Sequence, residues 1–149
     1  MRRQAFETRP EPGWLEHVGS TPTSFGLIHE FWQRDVMVTM AAFKTGDLSL
    51  YFSNGGGVLG GIQHETVAGL VRKTIPLLGP LTAQLHRSDD MEPPTPGSIT
   101  FTILTNEGRF RRRLDAMPER NKDNADFQLL ALSQGLITEL RKASETAGT

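Results

Sequence analysis

Apolar and polar positions change phase repeatedly along this chain, and those changes predict its elements. Phe25, Leu27, His29 and Phe31 alternate with Gly26, Ile28, Glu30 and Trp32, which suits a strand partly covered on both faces. Val36 to Phe43 is an apolar, β-branched run, and the Lys44-Thr45-Gly46-Asp47 segment supplies turn chemistry. After it, Leu48, Leu50 and Phe52 alternate with Ser49, Tyr51 and Ser53. That is a hairpin with one buried face. A second hairpin is predicted from Ile99, Phe101 and Ile103, the turn Asn106-Glu107-Gly108 and a strand from Arg109 to Ala116. Leu48, Leu50, Phe52, Ile99, Phe101 and Ile103 should then share one buried sheet face.

The period lengthens to that of a helix in two places. From about His64, the positions Val67, Leu70, Val71, Thr74, Ile75 and Leu78 form one stripe, and Pro76 with Gly79-Pro80 should kink or end it before an apolar stretch through Leu85. From about Asn124 to Lys142 a second amphipathic helix is expected, with Phe127, Leu130, Leu136, Ile137 and Leu140 toward the core and Asn124 as N-cap. The order is (β)ββα followed by ββα. It implies an α+β domain whose antiparallel sheet of about five strands carries two main helices on one face.

Outside this pattern the chain is polar. Residues 1–23 read as an extended or partly ordered arm with one helical turn around Trp14 to His17, residues 24–143 as a single domain, and 144–149 as a frayed tail. Ser88 to Gly97, with its prolines and acidic residues, is expected to be an exposed connection. Asn54 to Gly61 is so rich in glycine that no regular element is expected there.

Composition narrows the chemistry. The 149 residues hold 16 basic and 17 acidic side chains, so no global field favours nucleic acid or an anionic membrane. The absence of cysteine excludes disulfides, thiolate nucleophiles and cysteine-based metal sites and fits a reducing compartment, with the cytoplasm as the expected location. No run approaches the roughly 18 apolar residues of a membrane span, and the polar, proline-containing N-terminus is not a secretory signal.

Three constellations are candidates for function. Gly55, Gly57 and Gly60 match the spacing of a dinucleotide fingerprint, but the preceding strand belongs to an antiparallel hairpin, and the loop lacks the Gly-Lys-Ser/Thr ending of a P-loop. A broader role survives for the loop: backbone amides of Gly55, Gly56, Gly57, Gly60 and Gly61, flanked by Ser53, Asn54 and His64, are a candidate site for a small anion or carboxylate. The alternative is that these glycines only permit positive φ and close backbone passage. His64 and Glu65 are equally explicable as helix-start residues. No metal-ligand spacing and no nucleophile–base pattern is legible, so no cofactor and no metal are expected. The third constellation is Arg109, Arg111 and Arg113, which project from one side of a strand; they suit an acidic partner or a charge-protected edge.

The segment from Leu48 to His64, SLYFSNGGG followed by Gly60-Gly61 and His64, together with Pro96 to Phe101 and Thr105 to Gly108, resembles an uncharacterised family of small bacterial proteins. The likeness runs from about Val38 to Leu140. By element order the chain also resembles the βββαββα core of type III secretion chaperones and, less closely, roadblock-type dimerising domains. That resemblance implies protein binding. Small size, the lack of a cofactor motif and helices predicted on only one sheet face make the expected function a non-enzymatic cytosolic protein-interaction module, of regulator, immunity or secretion-chaperone type, which binds another protein or itself as a homodimer. The second reading is a small-molecule or anion-binding domain that uses loop 55–61, with hydrolase-like chemistry at the same place.

Overall fold

A computed structural model describes residues 2–11, 21–59 and 64–147. Among the described residues seven strands form one antiparallel sheet: β1 (Ser24–Gln33), β2 (Val36–Phe43), β3 (Leu48–Phe52), β4 (Gly57–Leu59), β5 (His86–Arg87), β6 (Ile99–Thr105) and β7 (Gly108–Leu114), in the spatial order β4-β3-β2-β1-β6-β7-β5. The α+β class and the antiparallel pairing agree with the sequence pattern. The count of about five strands needs correction to seven. Both additions are edge strands of two or three residues, too short to show a period of two.

The glycine-rich segment accounts for one of them. Phe52 N–H donates to Gly56 O, Gly55 takes φ +98°, and Asn54 Oδ1 accepts from Gly56 N, so the chain reverses tightly and Gly57 pairs with Tyr51. A Cβ on Gly57 would stand 2.9 Å from Leu50 O. Glycine therefore lets the backbone lie close against β3.

One sheet face, here the inner face, carries four helical elements among the described residues. They are α2 (Glu65–Thr74), two 3-10 turns (Ile75–Leu77 and Gly79–Gln84) and α3 (Ala125–Ala147). Three rows of side chains cross this face: Leu50, Met40, His29, Phe101 and Arg112; Leu48, Ala42, Leu27, Ile103 and Phe110; Phe52, Val38, Phe31, Ile99 and Leu114. Most are buried with Val67, Val71, Ile75, Leu78, Leu129, Leu136 and Leu140 in the main core. The phases predicted for β3, β6 and β7 are the observed ones.

In α3 the predicted stripe needs one exchange. Leu129 is fully buried, whereas Phe127 lies partly exposed. The buried set Ala125, Leu129, Leu136 and Leu140 recurs at helical spacing, and Phe127 falls off that stripe. Asn124 caps this helix as expected, its Oδ1 accepting from Asp126 N at 2.8 Å.

The outer face is covered too. A short helix, α1 (Arg2–Phe6), places Ala5 and Phe6 against Phe25, Ile28, Ala41 and Leu104 in a second core. Beside it, residues 88–97 cross the outer face instead of standing free: Pro94 is buried and Met91 packs against the same core. The helical turn expected at Trp14 to His17 lies outside the described residues. Among the described residues no helix is long and apolar enough to cross a membrane.

Candidate functional site

The outer face carries the unusual chemistry. One row crosses five strands as Tyr51, Thr39, Glu30, Thr100 and Arg113. Glu30, on central strand β1, is completely buried, and its carboxylate accepts from Arg2 Nε at 2.6 Å, Arg2 Nη2 at 2.8 Å and Thr39 Oγ1 at 2.7 Å. Arg2 also donates to Met91 O. A buried carboxylate held by a bidentate guanidinium fixes geometry more than it adds stability, because desolvation offsets the attraction. Here it fixes α1 and the 88–97 segment to the sheet.

The next strands continue the pattern. Arg109, Arg111 and Arg113 stand together on the outer face, as their alternation predicts, and each reaches into the chain itself. Arg109 Nη1 donates to Phe6 O at 3.1 Å and its guanidinium lies 3.6 Å from Asp89 Oδ1. Arg111 donates to Asp90 O at 2.8 Å and to Glu92 O, while Arg113 Nη2 donates to Thr95 Oγ1 at 2.9 Å. Burial lowers the Arg111 pKa, against the opposing attraction of Asp90 and Glu30. Trp32 Nε1 completes the latch on Pro94 O at 2.7 Å. The row of arginines therefore fastens the crossing segment.

The glycine loop is only partly described. Ser53 Oγ accepts from Met37 N at 2.9 Å and Asn54 Oδ1 from Gly56 N at 3.3 Å, so both side chains serve the hairpin. Gly55, Gly56 and Gly57 are exposed. His64 sits at the N-cap of α2 with extended backbone and no side-chain capping bond. Gly60 and Gly61 lie outside the described residues. Among the described residues no three His, Asp or Glu side chains gather in a way that could hold a metal ion.

His29 is a second buried titratable group, this one on the inner face. Its ring stacks on Phe101 at 4.4 Å between centroids, and Nδ1–H donates to Thr100 O at 3.0 Å. Nε2 has no hydrogen-bond partner, and neither does the buried Ser133 Oγ on α3. Burial pushes the His29 pKa down to about 4, the bond to Thr100 opposing it weakly. The ring is thus a neutral core element, closed to solvent.

The helical layer carries an open feature that sequence reasoning missed. A groove of about 350 Å³ runs between the second 3-10 turn and α3, lined by Leu77, Pro80, Leu81, Phe127, Ala131 and Leu132. Its origin is local. A 3-10 helix repeats every three residues, so turning Ile75, Leu78 and Leu81 inward leaves Leu77 pointing out, 56% exposed. Pro76 and Pro80, near the starts of the two turns, favour that winding. On α3 the same logic places Phe127 and Ala131 beside the buried stripe. The sequence signal was the pair of prolines four residues apart within an apolar run, which breaks a 3.6-residue stripe into a three-residue one. No family model matches the chain, and comparison with curated proteins and solved structures also found no match.

Proposed function

We propose that the chain is a non-enzymatic protein-interaction module that binds through the apolar groove between the 3-10 turns and α3. The observation that carries this reading is the exposure of Leu77 in a groove walled by Phe127, Ala131 and Leu132. Contiguous apolar surface with a polar rim is typical of partner sites, and Lys122 and Gln128 supply that rim. The buried polar groups support the same reading. Glu30 and Thr39 lie beneath α1 and the latched segment, and His29 lies within the core, so none of them offers a reacting group to a substrate. A cysteine-free chain suits work in the cytosol.

The test is a photo-reactive benzoylphenylalanine at Ala131, an exposed wall of the groove. Irradiation in cell extract should give one discrete polypeptide adduct that disappears when Leu77→Asp is added. Absence of any discrete adduct, or an adduct indifferent to Leu77→Asp, overturns the groove as the contact surface.

A further inference from the structure

The segment from Ser88 to Gly97 lies on the outer face as a bound peptide would. Among the described residues no backbone–backbone bond involves Asp89 to Pro94. Side chains of the sheet and α1 donate to its carbonyls in place of a strand ladder: Arg109 to Asp89 O at 3.5 Å, Arg111 to Asp90 O at 2.8 Å and to Glu92 O, Arg2 to Met91 O, and Trp32 Nε1 to Pro94 O at 2.7 Å. Pro93, Pro94 and Pro96 have no N–H, so this stretch offers acceptors and few donors. Pro94 is buried and Met91 half-buried, whereas Asp89, Asp90 and Glu92 are exposed. Main-chain acceptors fixed by the receptor, with proline against an aromatic donor, are the marks of proline-rich peptide recognition.

The segment does not satisfy its cradle fully. A cavity of about 290 Å³ remains, walled by Asp90, Glu92 and Pro94 of the segment and by Thr100, Arg111 and Arg113 of the sheet. Half-buried Arg111 makes no ion pair among the described residues, since both of its Nη groups donate to neutral carbonyls. A carboxylate is the stronger acceptor for a guanidinium. Charge points the same way. With the segment lifted off, Asp89, Asp90 and Glu92 leave with it, and the guanidiniums of Arg2, Arg109, Arg111 and Arg113 face only the carboxylates of Glu30 and Asp115. Arg3 and Arg87 are paired with Glu7 and Glu107, and His86, across from Arg111, adds charge only when protonated.

We infer that the outer face is a peptide-binding cradle with residues 88–97 as its built-in occupant, and that its partner is an extended, acidic, proline-containing peptide that displaces them and sets a carboxylate on Arg111. This surface lies on the opposite side of the sheet from the apolar groove, so the inference stands apart from the groove reading. The tethered segment competes at an effective concentration on the order of millimolar. It therefore acts as an autoinhibitory strap.

The test is fluorescence anisotropy of a labelled synthetic peptide with the sequence from Ser88 to Gly97, titrated with the full chain in which residues 89–94 are replaced by alternating glycine and serine. That chain should bind the peptide about ten-fold or more tighter than the wild type does, because the intramolecular competitor is gone. Arg111→Met in the same background should weaken binding about ten-fold, the effect of losing a charge-assisted contact. A peptide with its acidic residues changed to Asn and Gln should also bind more weakly. Equal binding by the two chains, indifference to Arg111→Met, or no binding by the folded replacement chain each overturns the inference, and an uncharged peptide that binds equally well overturns the acidic partner. Should the replacement not fold, Met91→Ser with Pro94→Ser loosens the strap at its full length. The peptide must then bind this chain more tightly than the wild type, and equal affinity or none overturns the inference.

Discussion

The two faces of the sheet are both buried, by opposite chemistry. On the inner face Leu27, Met40, Phe101 and Ile103 meet α2 and α3 in an apolar layer, and His29 is tolerated only as a neutral ring. On the outer face Phe25, Ile28, Ala41 and Leu104 form a smaller apolar nucleus, and the remaining area is closed by Glu30, Thr39 and the arginines reaching α1 and residues 89–95. Apolar packing is non-directional and tolerates small shifts. A carboxylate held by three donors does not. The inner face therefore supplies most of the stability, and the outer face specifies where two otherwise weakly held segments lie.

The largest expected effect probes the inner face. Phe101→Ala removes a fully buried ring in the central row and should destabilise the chain by about 3–5 kcal/mol in denaturant unfolding. A loss near that of a surface substitution, below about 1 kcal/mol, would break the assignment of this face as the main core.

The outer face should respond differently to single and paired changes. Arg2→Met leaves Glu30 buried without its guanidinium and should cost about 3 kcal/mol, the lower end for a broken buried pair, because the Arg2 side chain is still 25% exposed. Arg2→Met with Glu30→Leu should recover most of that loss. If the double variant is as unstable as the single one, the pair contributes stability and not placement, and the contrast between the faces fails.

His29 offers a pH test of the inner face. The folded chain holds this ring neutral down to about pH 4, whereas the unfolded chain protonates it near the ordinary histidine value of 6.5. Between these values the unfolded state binds more protons, so stability is full above about pH 6.5 and falls as pH drops toward 4. At about 1.4 kcal/mol per unit the loss reaches about 3 kcal/mol. His29→Asn, whose amide can still reach Thr100 O, should flatten this slope relative to wild type. An unchanged slope assigns it to other groups.

The smallest effect is expected at the groove. Leu77→Ser should change unfolding stability by no more than about 0.5 kcal/mol, as for an ordinary surface position. A loss several times larger would place Leu77 in the core and remove the contact surface.

The same contrast governs how much the sequence reveals. Alternation made the inner face legible, because Leu48, Leu50, Ile99, Phe101 and Ile103 each repeat a local period and need no knowledge of a distant partner. The outer face was not legible. Glu30 lies on the same phase as Ile28 and Trp32, and that one charged residue inside an apolar strand was its visible signal, but its partner Arg2 is 28 residues away in an arm without periodicity. The arginine row was read correctly as a row. Its targets, the carbonyls of Asp89, Asp90 and Glu92, have no signature in residue type. The groove escaped because a three-residue winding between two helices resembles the end of a longer α-helix.

The short outermost strands have a consequence for behaviour in crowded solution. A long, flat, unpaired strand is a template onto which further chains can add and grow into fibres. Here the series stops at Gly57–Leu59 on one side and at His86–Arg87 on the other, and the neighbouring β7 presents consecutive arginines. Among the described residues, a second chain arriving at either outermost strand finds two or three residues to hydrogen-bond and, where β7 extends past β5, like charge to face. The outermost strands among the described residues therefore give open-ended addition of further chains little backbone to build on.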